Sequence, residues 1–147
     1  MAAIRSRDTK PELIIRKGLH AQGFRFRLQG CKLPGRPDLV FPKDHALLWV
    51  HGCFWHGHSC PLFYWPKSRE DFWRAKIGRN QERDAATWAA ARDAGWRCGV
   101  VWECALKGRG RLSPGLVIDS LARWLSSGAD EFCIEGQWTD DATHPLA

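Results

Sequence analysis

Eleven residues hold most of the chemistry in this chain: Val50, His51, Gly52, Cys53, Phe54, Trp55, His56, Gly57, His58, Ser59 and Cys60. Cys53, His58 and Cys60 are thiol and imidazole donors at a spacing that suits zinc, which prefers thiolate and neutral imidazole. A closed tetrahedral site needs a fourth ligand. Cys31, Cys98, Cys104 and Cys133 are available. Cys104 is the best placed of them, because it follows a strand end where a side chain can leave a sheet; Cys98 sits inside the same strand and reads as a core thiol. The bland alternative, that all are buried small apolar residues, fits poorly with three donors in one loop.

His51 and His56 remain free of that set and could move protons or bind a second ion. They are five residues apart across Gly52 and converge only if the loop folds back, as a metal pinning Cys53, His58 and Cys60 would make it do. Taken singly, each is more often an ordinary surface histidine. Asp38 starts a short apolar strand after Gly35 and Arg36. An acid there is commonly a turn former. If its strand pairs with the one ending at His51, however, a carboxylate and an imidazole stand at neighbouring strand ends. Metal-assisted phosphodiester cleavage needs that pair: a hard ion on the carboxylate to neutralise phosphate charge, and a base to activate water. Phe54 and Trp55 form a bulky pair in a polar loop. They read equally as a wedge for opening duplex DNA, which Trp73 could join, or as a mini-core over the metal with Leu62, Phe63 and Trp65.

The elements that position these groups follow from periodicity. Thr9, Pro11 and Glu12 start a helix that ends at Gly23, with Glu12 at the capping-box position. Residues 24–28 alternate as a strand with arginines outward, 37–41 form a short apolar strand, and 46–51 form a buried strand feeding the loop. Ser68 caps a long helix reaching about Ala94, on which Trp73, Ile77, Asn80 and Asp84 form one stripe. Asn80 and Asp84 break its apolar character, so the stripe either twists to solvent or carries polar groups to a site. Residues 96–102 are another strand. Ser113 and Pro114 open a last helix with Leu116, Val117, Leu121, Trp124 and Leu125 inward. From Gly128 the pattern is weak, and an irregular, frayed end is expected. The order α, β, β, β, α, β, α predicts an α/β sandwich on a small mixed sheet, as a single domain over 1–147.

The 147 residues carry a net charge of +6, but unevenly: residues 1–111 sum to +11 and residues 112–147 to −5. A basic body suits a polyanionic partner as well as it suits simple solubility. Nine tryptophans against one tyrosine add a capacity for stacking on bases. No signal core or spanning segment is legible, so a cytoplasmic protein without membrane association is expected, with cysteines as thiols or metal ligands and not disulfides.

Pro34-Gly35-Arg36-Pro37-Asp38, then His51 to His56, then Trp102-Glu103-Cys104-Ala105-Leu106 together resemble the Vsr very short patch repair endonucleases. Arg7-Asp8-Thr9, Phe72-Trp73, Lys76 to Asn80 and Glu82-Arg83-Asp84 extend the resemblance over about Arg5 to Leu125. It implies a restriction-endonuclease-like core (αβββαβ) with a structural zinc site. The implied activity is magnesium-dependent nicking of double-stranded DNA 5′ of the thymine in T:G mispairs left by deamination of 5-methylcytosine. By position, Asp38 and the Val50 carbonyl would bind Mg2+. His56 would activate water with help from His51, and Asp84 would support both. Glu12 would reach the metal's water shell, overriding the capping role. Cys53, His58, Cys60 and Cys104 would hold Zn2+, and Phe54, Trp55 and Trp73 would intercalate. A monomer is expected.

The sequence departs from the family pattern in three places. Val50 replaces a threonine, Gly57 and Ser59 replace histidines, and little of the family's basic N-terminal arm precedes Arg5. A restriction-type nuclease of the same fold and a catalytically silent zinc-containing DNA-binding module are the rival readings.

Overall fold

The computed structural model describes residues 9–28, 30 and 32–138. Arg7 and Asp8 of the family motif, the candidate ligand Cys31 and the expected tail beyond 138 lie outside them. Five strands form one mixed sheet in the order β1 (Arg27–Leu28), β2 (Leu39–Phe41), β3 (Ala46–His51), β4 (Arg97–Trp102), β5 (Glu131–Ile134). The first two pairings are antiparallel and the last two parallel. Three helices cover the sheet: α1 (Lys10–Ala21), α2 (Glu70–Asp93) and α3 (Pro114–Ser126).

Strand periodicity sorts the core into two layers. Ala46 and Leu48 of β3, Leu39 and Phe41 of β2 and Val101 of β4 pack against Ile15 and Leu19 of α1 and Val117, Leu121 and Trp124 of α3. Leu47, Trp49, Val40, Cys98 and Val100 face the other way, toward Ala91 and Trp88 of α2. The sheet is therefore buried on both faces, as its continuous apolar strands require. Close approach is built into the first layer: a side chain on Gly99 would stand 2.9 Å from the Trp124 ring. Among the described residues no helix is long and apolar enough to cross a membrane.

Several sequence expectations need correction. The chain after Gly128 is not irregular throughout, because Glu131–Ile134 pairs in parallel with β4. Only Arg27 and Leu28 of the 24–28 segment enter the ladder, although Phe24 and Phe26 still pack on the core and Arg25 and Arg27 stay exposed. The N-cap of α2 is Arg69, in a left-handed conformation (φ 57°) without a side-chain cap, in place of Ser68. On α3, Leu116 is exposed and Ile118 takes the inward position. Thr9 and Ser113 do cap their helices, accepting from the Glu12 and Leu116 N–H groups.

Candidate active site and metal centre

The reactive groups gather where the parallel strands β3 and β4 end, on the side of the sheet covered by α2. Their register sets His51 beside Trp102, so the loop after β3 and the turn after β4 leave the sheet together. The antiparallel pairing of β2 with β3 places Leu39 opposite Leu48 and brings Asp38 alongside the end of β3, where the Val50 N–H donates to its carboxylate at 2.7 Å. A cleft of about 410 Å³ opens at this corner, lined by Arg36, Asp38, Val50, His51, His56, Arg83, Asp84 and Trp102.

The loop from Gly52 to Cys60 folds back as its spacing suggested. His56 N–H donates to the Gly52 carbonyl at 3.2 Å and His58 N–H to the Cys53 carbonyl at 2.9 Å. Gly57 makes the reversal possible. Its φ is +62°, and a Cβ there would lie 2.4 Å from Gln81 Nε2 and 2.7 Å from Ile77 on α2. A side chain here would be strained by the positive φ and would need Gln81 and Ile77 to shift. The turn divides the histidines between two sites, His56 going to the cleft and His58 to the cysteines.

In the cleft the His51 and His56 rings lie 3.8 Å apart. His56 Nδ1 meets Asp84 Oδ2 at 2.5 Å, and these three side chains form a group within 4.8 Å. The polar stripe on α2 accounts for this: Asp84 reaches His56, Asn80 donates to the Trp55 carbonyl at 2.9 Å, and Ile77 is buried beneath. Burial pushes His51 down to about 3, with His56 adding to the effect, so its imidazole is neutral near pH 7. Burial also pushes Asp38 up to about 7, against the Val50 hydrogen bond, with the charge of Glu12 raising it further. A buried acid of this kind holds its charge poorly until a cation joins it. Glu12 is itself buried and paired with Arg16; its charge acts on Asp38, but it does not line the cleft.

The second group is Cys53, His58, Cys60 and Cys104, whose ligand atoms lie within 4.8 Å of one another. His58 Nδ1 is 3.6 Å from both Cys53 Sγ and Cys104 Sγ. Zinc bonds of about 2.3 Å to sulfur and about 2.0 Å to nitrogen give a tetrahedral edge of roughly 3.5 Å, so the donor set fits that ion. The hydrogen bond from Cys53 lowers the Cys104 thiol, while Cys53 is raised through the same contact. Cys104 is thus the fourth donor in the cluster; Cys98 is buried in the core, and Cys133 is exposed on β5.

Sequence reasoning missed the outer groups that hold these donors. Glu135 Oε1 bonds His58 Nε2 at 2.6 Å, and the Gly136 N–H donates to Cys104 Sγ at 3.3 Å. Glu103 Oε1 accepts from the Cys53 N–H at 3.1 Å, and Trp102 stacks on His58 at 4.0 Å. Such partners fix the tautomer and orientation of metal ligands. The alternation of Glu131-Phe132-Cys133-Ile134 was the available signal for the strand that delivers Glu135.

The aromatics form one band. Phe54, Trp55 and Trp73 contact one another with ring centroids 5.2 to 5.8 Å apart, and Phe54 also meets Phe63 and Tyr64. The three rings pack as a mini-core, and their partial exposure leaves the wedge reading open.

The chain is similar in sequence to known proteins. The family model described as DNA mismatch endonuclease Vsr matches residues 1–62. The type II nicking enzyme V.XorIIP of Xanthomonas oryzae pv. oryzae is 49% identical over 116 residues, covering 79% of this chain and 85% of that protein. The DNA mismatch endonuclease Vsr of Escherichia coli is 44% identical over 125 residues, covering 85% of this chain and 80% of that one. The type II nicking enzyme V.NmeAIP of Neisseria meningitidis is 45% identical over 109 residues, 74% of this chain and 78% of its own.

Proposed function

Because the chain belongs to the family of the DNA mismatch endonuclease Vsr, we propose that it is a mismatch-specific DNA endonuclease that nicks duplex DNA 5′ of the thymine in a T:G mispair. The observation that carries the chemistry is the convergence of Asp38, His51, His56 and Asp84 in one cleft. Asp84 fixes His56 with Nδ1 toward the carboxylate, which leaves Nε2 to take the proton of an attacking water. His51, neutral through burial, packs on the His56 ring and limits its movement. Arg36 and Arg83 line the same cleft and offer positive charge to a phosphate.

Asp38 and the Val50 carbonyl are the ligands for Mg2+ in this reading. Glu12, paired with Arg16 and outside the cleft lining here, acts on Asp38 through its charge and would have to turn from Arg16 to reach the ion's water shell. The raised pKa of Asp38 supports this, since the site wants a cation and a carboxylate is a hard donor. When bound, magnesium supplies the positive charge that offsets charge developing on the phosphate. Hydrolysis leaves a 5′-phosphate on the thymine side. Cys53, His58, Cys60 and Cys104 hold structural zinc, and Phe54, Trp55 and Trp73 enter the helix where mispairing has weakened the stack. A restriction-endonuclease-like core is the fold that agrees with this site at the sheet's end, and the enzyme acts as a monomer on this reading.

Matched and T:G-containing duplexes incubated with magnesium test the function directly. Nicking confined to the thymine strand of the mismatched duplex is expected. Equal cutting of both duplexes would make this a restriction-type enzyme, and binding without cutting would make it a DNA-binding module.

A further inference from the structure

The rings assigned to the DNA wedge are half-buried, whereas the most open ring beside them has no role. Tyr64 is 69% exposed, and it is the only tyrosine in the chain. It meets the wedge at Phe54, with centroids 5.9 Å apart. The neighbouring surface alternates aromatic and cationic groups. Arg69 lies 4.1 Å over Phe72, itself 40% exposed, and Arg74 lies 4.2 Å over Trp65 while also pairing with Glu70. An open aromatic face continued by guanidinium groups is the surface that single-stranded nucleic acid favours, with rings for bases and cations for backbone. A largely open ring on a loop, tilted against a single neighbour, contributes little to folding, so the fold alone does not account for it.

We propose that Tyr64 is a fourth aromatic of the DNA interface, stacking on a base that flanks the mismatch after Phe54, Trp55 and Trp73 have opened the helix. It is a binding residue for the opened, mismatched duplex and does not touch the reacting phosphate. The proposal rests on the mismatch-nicking reading. It requires an opened duplex, so its effect belongs to mismatched DNA.

The test compares wild type with Tyr64→Ala, Tyr64→Leu and Tyr64→Phe on T:G and matched duplexes. Affinity is measured with calcium in place of magnesium, and single-turnover nicking at saturating enzyme with magnesium. Tyr64→Ala and Tyr64→Leu should bind T:G duplex about tenfold more weakly, the usual scale for one lost base stack, with matched-duplex affinity little changed. Tyr64→Phe should stay within about twofold of wild type, and the saturated nicking rate and melting temperature should not move in any variant. Wild-type affinity in Tyr64→Ala, or an equal loss on both duplexes, would overturn the stacking role while leaving the mismatch reading intact. A wild-type enzyme that cuts both duplexes alike would sink the mismatch reading itself, and this proposal with it.

Discussion

Asp38 carries opposite demands at the scale of a single residue. Its folded pKa of about 7 lies above the ordinary value of 3.8, because burial disfavours its charge. The folded protein therefore holds this proton more tightly than the unfolded chain does. The stability it lends is full below about pH 3.8 and is lost as pH rises to about 7, by roughly 4 kcal/mol at an upper bound. His51 runs the other way. Its pKa is depressed from 6.5 to about 3, so its contribution is present above 6.5 and lost as pH falls. Asp38→Asn removes the first effect alone. In magnesium-free buffer at pH 8 this variant should melt several degrees above wild type and bind T:G duplex with nearly wild-type affinity, and with magnesium added it should show no nicking. Nicking at the wild-type rate would refute the assignment of Asp38, and a lowered melting temperature would refute the account of its burial. Asp38 was legible in the sequence because it heads a strand near a histidine. Its environment was not, since that depends on how Val50 and Glu12 approach from elements 12 and 26 residues away in the chain.

At the scale of elements, the 50–60 loop and the strand after Gly128 teach opposite lessons. The loop advertised itself through residue types that have few other uses together, and its donors meet where the spacing placed them. β5 escaped notice because four residues of modest alternation resemble irregular chain, and its stability comes from pairing with β4, a contact no local window contains. The cap of α2 was misplaced for a related reason: Ser68 has the right side chain, but Arg69 takes the left-handed backbone that starts the helix. Missing β5 meant missing Glu135, which orients His58. Glu135→Gln should weaken zinc binding by about tenfold or more in competition with a chromogenic chelator, with the rest of the fold retained. Stripping zinc altogether should melt the loop and alter the fluorescence of the Trp55 region. A metal-free protein with an unchanged loop and full activity would show the ion to be dispensable.

Across the whole molecule, charge follows the proposed division of labour. Residues 1–111 carry the excess of basic groups together with the cleft and aromatic band, while the acids of 112–147 include Asp130, Glu131 and Glu135 around β5. The latter are engaged within the protein: Arg92 pairs with Asp130, and Trp88 donates to Glu131. DNA should thus approach from the α2 side of the sheet. Raising salt from about 50 to 200 mM should weaken binding to matched and mismatched duplexes by similar factors, tenfold or more, because both share the phosphate contacts. The ratio between the two duplexes should persist, since wedge and stacking contacts release few ions. A preference for T:G that vanished with salt would show discrimination to be electrostatic. The layered fold itself was readable from alternating helices and strands. Which side of the sheet carries the site was not, because it depends on the parity of His51 and Asp38 in a register that only the paired strands define.

The left-handed turn at Gly57 joins what the two halves of this loop do. On the proposed roles, the residues just before it include the reader of the lesion and the proton acceptor, and those just after it lead into the ion site. Losing the ion would disarm recognition and cutting in one event. No half-armed enzyme would then survive to nick sound DNA, which is a safeguard that separate modules for reading and cutting would lack.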